Sequence, residues 1–112
     1  AAAIEDLFAV LQNDIDIKCV VLNACYTDNL ANALARSVDC GIGMNDAITD
    51  QAALKFSAAF YQSLAYGSSV KQAYLLGCNQ LRLDGLAEAS IPKLFSIRCN
   101  PNDVVFVKRL DS

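Results

Sequence analysis

Ile17-Lys18-Cys19-Val20-Val21-Leu22 is a short, β-branched, nearly continuous apolar run, and Asn23-Ala24-Cys25-Tyr26 follows it at once. A run without polar alternation marks a strand covered on both faces, as strands of parallel sheets are. Upstream, Ala2 to Gln12 carries Ile4, Leu7, Phe8 and Leu11 at the spacing of one helix face, which predicts a helix that buries that stripe and ends at Asn13-Asp14. Downstream, Thr27 or Asp28 is placed to cap a helix bearing Leu30, Ala33, Leu34 and Val38. Cys40 to Met44 returns as a second short strand, weakened by Gly41 and Gly43. After the loop Asn45 to Ile48, Thr49 caps a long helix with Ala53, Phe56, Phe60 and Leu64 on one face, stopped by Gly67. Ser68 or Ser69 caps the next, along which Val70, Ala73, Tyr74, Gly77 and Leu81 line up. Pro92 breaks the chain before a predicted third strand, Leu94 to Arg98, and Asp103 to Val107 reads as a fourth.

Alternating strands and helices predict an α/β sandwich with a mainly parallel sheet, formed as a single unit over residues 1–112. Three or four strands make a thin sheet, and the first is left with an open edge. Strands supplied upstream, or by another chain, are therefore expected to complete it. A hydrophobic fraction of 54% in so short a chain agrees, since small domains have much surface to cover with polar groups.

The formal charge of -3, with basic pairs no longer than Lys108-Arg109, offers no stripe for a phosphate backbone, so no nucleic acid is expected as a partner. No apolar run approaches the roughly 18 residues of a membrane span, and Ala1 to Ile4 lacks the basic start of a signal peptide. A soluble, cytoplasmic protein without a membrane contact is the expectation. Five cysteines, at 19, 25, 40, 78 and 99, form no C-x-x-C pair, and the chain contains no histidine. Neither a disulfide framework nor a metal site is supported. Gly41-x-Gly43-x-x-Asp46 approximates a dinucleotide loop, but an aspartate where the third glycine belongs would repel a pyrophosphate, and no cofactor is expected.

In an open α/β sheet, functional groups collect beyond the carboxyl ends of the strands. Two such loops are legible: Val20-Val21-Leu22-Asn23-Ala24-Cys25-Tyr26, a strand delivering a cysteine to its tip, and Gly41-Ile42-Gly43-Met44-Asn45-Asp46. A thiol at a strand end beside a helix start is placed like a nucleophile, although burial in a core is the commoner fate of a free cysteine. Cys19, Cys40, Cys78 and Cys99 fall in predicted elements or at their ends and read as packing. Phe56, Phe60, Tyr61 and Tyr74 recur at helical spacing and read as core, and Asp50 complements a helix dipole.

The stretch Cys19-Val20-Val21-Leu22-Asn23-Ala24-Cys25-Tyr26 resembles the nucleophile motif of the CHAT peptidases, caspase-like domains often joined to tetratricopeptide repeats. Ile42-Gly43-Met44 with Ile48 and Asp50, then Phe56 to Leu64, then Gly67-Ser68-Ser69-Val70 with Ala73-Tyr74 follow in the same order. The resemblance runs roughly from Ile4 to Phe95. It implies the C-terminal half of a caspase-like three-layer sandwich, and a cysteine endopeptidase that acts on a protein substrate with Cys25 as nucleophile. It also implies substrate-pocket roles for Asn23, Asn45 and Asp46. In the family the base is a histidine on a preceding strand; caspases carry it about 50 residues before the cysteine, and only 24 residues precede Cys25. Truncation is thus the expected reason for its absence, and this chain alone is expected to be inactive. A neutral Asn23 gives no charge preference, whereas Asp46 is able to supply one. A caspase-like module without catalysis, which binds a partner and keeps Cys25 for packing, remains open. A flavodoxin-like or receiver-like domain is the weaker rival, since no acidic cluster stands at the first strand end.

Overall fold

Gly41 and Gly43 alternate along one strand with Cys40, Ile42 and Met44, and this alternation sets the layers of the molecule. In the computed structural model, which describes residues 2–14 and 16–107, the order is α1 (Ala2–Asp14), β1 (Cys19–Val21), α2 (Asp28–Leu34), β2 (Cys40–Met44), α3 (Asp50–Ala65), α4 (Val70–Leu83) and β3 (Pro92–Phe95). Single 3-10 turns lie at Ala87–Ser90 and Pro101–Asp103. All five residues of β2 are buried. Its large side chains enter a core with Ile48, Phe56, Phe60 and Val70, contributed by α3, α4 and the segment before α3. Its glycines face α2 so closely that a Cβ on Gly41 would stand 2.6 Å from the Ala31 carbonyl oxygen, and one on Gly43 2.5 Å from that of Thr27. The glycines expected to weaken this strand instead let a helix lie directly on it, with Ala31, Leu34, Ala35 and Val38 buried beneath.

β1 pairs with β2 in parallel, Cys19 opposite Cys40 and Val21 opposite Ile42. β3 pairs with β2 antiparallel, Gly41 opposite Phe95 and Met44 opposite Pro92. The sheet is therefore small and mixed, with order β1-β2-β3, and the expectation of a mainly parallel sheet is corrected. Two helices rather than one link β2 to β3. α3 and α4 fold back on each other through Gly67, whose φ of 94° suits glycine, so the chain leaves α4 at the end of β2 where α3 began. A strand starting there must run the other way.

The third strand begins at Pro92 itself, because its carbonyl accepts from the Tyr74 hydroxyl at 2.8 Å and its ring is fully buried. The expected fourth strand is reduced to a 3-10 turn and one antiparallel bridge, Ser69 to Val105. α1 forms as expected, but of its apolar stripe Ile4 and Leu7 are 44% and 53% exposed while Phe8 and Leu11 are half-buried, so the stripe is only partly covered by the described residues. α3 packs on α4 where Gly77 admits the Phe56 ring, with Phe56 stacked near Phe60 and edge-on to Tyr74. Among the described residues no helix is long and apolar enough to cross a membrane. The Lys108-Arg109 pair lies outside the described residues.

Candidate functional site around Cys25

β1 ends at Val21, and the chain turns at Ala24–Tyr26 before α2. Tyr26 takes a left-handed φ of 56°, unusual for an aromatic residue. That turn carries Cys25 exposed at its tip. The thiol reaches across to the segment after β2: the Ile48 N–H donates to Cys25 Sγ at 3.3 Å, and Sγ donates to the Ile48 carbonyl at 3.6 Å. The Tyr26 N–H donates to the Asp46 carbonyl at 3.4 Å, and the Tyr26 hydroxyl to Asp46 Oδ1 at 3.1 Å. Ala47 N–H also donates to Oδ1, at 2.7 Å. The bond and the charge of Asp46 both push the Tyr26 phenol upward, so it stays a neutral donor at pH 7.

Thr27 holds the turn from below. It was one of two residues expected to cap α2, and it stands at the N-cap position, yet its side chain makes no cap bond. Oγ1 instead donates toward the carbonyls of Leu22 and Ala24, at 3.2 and 2.7 Å, and accepts from Met44 N–H at 3.1 Å. One hydroxyl thus ties the exits of both parallel strands to the cysteine turn.

The two loops expected to converge do so, through Cys25 with Ile48 and Tyr26 with Asp46. Asn23 is exposed, and its Oδ1 accepts from Ser57 Oγ of α3 at 3.1 Å. Asn45 is anchored elsewhere, its N–H donating to the Ile91 carbonyl at 3.1 Å. Three contributors had no local signal: the Ile48 peptide, Ser57, and Glu88, whose Oε2 accepts from Thr49 N–H at 2.9 Å and Thr49 Oγ1 at 2.7 Å. These two bonds hold the Glu88 carboxyl below its ordinary value.

The other thiols differ. Burial, with Cys40 beside it, pushes Cys19 up to about 12; burial likewise pushes Cys40 up to about 11 and raises Cys78. Cys99 was read as packing, but it is exposed, because the chain bends outward after β3 instead of continuing as strand; its thiol is also raised, by what burial it has and by Asp39. A cleft of about 330 Å³ lies along β1, lined by Cys19, Val21, Phe60, Tyr61, Leu64 and Phe106 among others. Cys25 is not part of its lining. Among the described residues no group of three or more His, Cys, Asp or Glu is arranged to hold a metal ion. Compared with known proteins, the sequence matches no family model and no curated protein.

Proposed function

We propose that this chain is the nucleophile-bearing part of a caspase-like cysteine endopeptidase domain of the CHAT type. The observation that carries the reading is the placement of Cys25: exposed beyond the end of β1, one turn before α2, and bonded to the loop that leaves the neighbouring parallel strand. This is the position where an open α/β sheet gathers its functional groups. Helices on both faces of the sheet are compatible with a caspase-like sandwich.

In this reading the Cys25 sulfur attacks the scissile carbonyl of a protein substrate, forming a carbon–sulfur bond. The thiol proton passes to a histidine carried by another segment or chain, for this sequence has none. That histidine then protonates the leaving amine as the peptide bond breaks, and water hydrolyses the thioester. The Cys25 N–H, without a partner among the described residues, helps hold the oxyanion. Asn23, Asn45 and Asp46 border the substrate, and the fixed Asp46 carboxylate favours a basic side chain there. No cofactor takes part. The missing strand that brings the histidine would pair with β1, beside the apolar cleft. Tetratricopeptide repeats or a sensor region would accompany the complete protein. Five free thiols suit a reducing compartment such as the cytoplasm.

The test is hydrolysis of a peptide library by the domain together with its histidine-bearing segment. Turnover should vanish in Cys25→Ala, and unchanged turnover would sink the proposal. A second reading, a non-catalytic module that binds a protein partner, is favoured by the apolar cleft along β1. It predicts that Cys25→Ala binds that partner as before.

A further inference from the structure

The loop 45–49, on which the Cys25 thiol rests, has local bonds of its own, Ala47 N–H to Asp46 Oδ1 and Ala52 N–H to Thr49 Oγ1, and is also braced from far along the chain. Both of its ends are tied to a single short segment much later in the chain. At one end Asn45 N–H donates to the Ile91 carbonyl. At the other, the Glu88 carboxylate takes both donors of Thr49, N–H and hydroxyl. The later segment is itself fixed: Ile91 N–H closes back on the Glu88 carbonyl at 3.0 Å, Ala89 is buried, and Pro92 is fully buried. Between the tethers sits Ile48, whose side chain is buried in the core and whose N–H points to Cys25 Sγ.

We propose that Glu88 is a positioning residue for the Cys25 thiol, acting through Thr49 and the Ile48 peptide. The step as a nucleophile rests on the reading of Cys25 given above; the positioning does not. The Ile48 amide is one residue from the Thr49 amide that Glu88 holds, so the two N–H groups are oriented together. The Ile48 N–H and carbonyl together fix where the Cys25 sulfur lies and which way it faces. Glu88 thereby sets how firmly that donor is presented, without touching Cys25. Thr49 keeps its other duty, accepting from Ala52 N–H as the cap of α3, whether or not Glu88 is present.

The test is alkylation of the 112-residue chain by iodoacetamide, with the rate at each cysteine read by peptide mapping. Cys99, exposed and bonded to Asp39 rather than to this loop, is the internal reference. Glu88→Ala should lower the rate at Cys25 relative to Cys99 at pH 7 by about fivefold, the factor one net hydrogen bond carries, and should leave the rate at Cys99 unchanged. Glu88→Gln keeps an acceptor oxygen for both Thr49 donors and should restore the ratio. An unchanged or raised ratio in Glu88→Ala, or no rescue by Gln, overturns the proposal. Failure of the peptidase reading would show separately, as turnover that survives Cys25→Ala.

Discussion

Cys25 and Ile48 are joined by a reciprocal pair of contacts, the Ile48 N–H donating to the sulfur at 3.3 Å and the sulfur donating to the Ile48 carbonyl at 3.6 Å. The side chain of Ile48 belongs to the core while its peptide serves the surface thiol. Rigidity of the interior is thus passed directly to an exposed cysteine. In the native chain, a soluble alkylating agent should modify Cys25 and Cys99 first, whereas Cys40 and Cys78, 0% and 4% exposed, should react only after denaturant is added. Time-resolved peptide mapping reads the order. Early labelling of Cys40 would contradict the buried position of β2.

Gly43→Ala should destabilise the protein by about 1–3 kcal/mol, the usual cost of forcing extra atoms into a packed interior. The added methyl would lie 2.5 Å from the Thr27 carbonyl oxygen and 2.8 Å from Ala31 Cβ, and neither can retreat without moving α2. Urea unfolding measures the loss. Because Thr27 also braces the cysteine turn, the same variant should change the alkylation rate at Cys25.

α1 gives a contrasting case. Leu7→Glu should change the stability of this chain by less than about 0.5 kcal/mol, as surface substitutions do, because Leu7 is exposed. Leu34→Ala, at a fully buried site in α2, should cost about 2–5 kcal/mol. Comparing urea midpoints of the two variants tests whether α1 belongs to the core.

Alkali should unfold the protein through its buried acids. Cys19 and Cys40 rise from 9.0 to about 12 and about 11, and Tyr74 from 10.0 to about 12, in each case chiefly through burial. The unfolded chain releases these protons first, so their contribution is intact below pH 9 and is lost as pH climbs from 9 toward 12. Urea midpoints at pH 7, 9, 10 and 11 should fall accordingly. Cys40→Ala should flatten the first part of the decline.

Local chemistry was legible in the sequence. Thr49 was placed as a cap by type and position, and Ser69 was one of two serines so placed; each accepts the backbone N–H three residues on. The bounds of β2 follow from its apolar run, and the faces of α3 and α4 from their spacing. What escaped depends on partners far apart in sequence. The direction of β3 is set by the pairing of α3 with α4, which no window along the chain reveals. Thr27 looked like a cap because its local pattern is a cap's, yet Met44 N–H, 17 residues away, competes for the same oxygen and wins. Glu88 lies 39 residues from Thr49 and carries no motif. The stripe of α1 was real as a pattern, but the described residues cover only part of it, leaving Ile4 and Leu7 exposed.

The double tether of the loop before α3 also has a meaning in time. A chain that emerges from the ribosome amino end first presents Cys25 and its turn before Ile48 and Thr49. The groups that hold Thr49 and Asn45 in place, Glu88 and Ile91, follow only after α3 and α4 have been made. Until they do, the turn can meet its neighbour but has no fixed surface to settle on. The thiol therefore acquires its final surroundings only after the helices that support it are already complete.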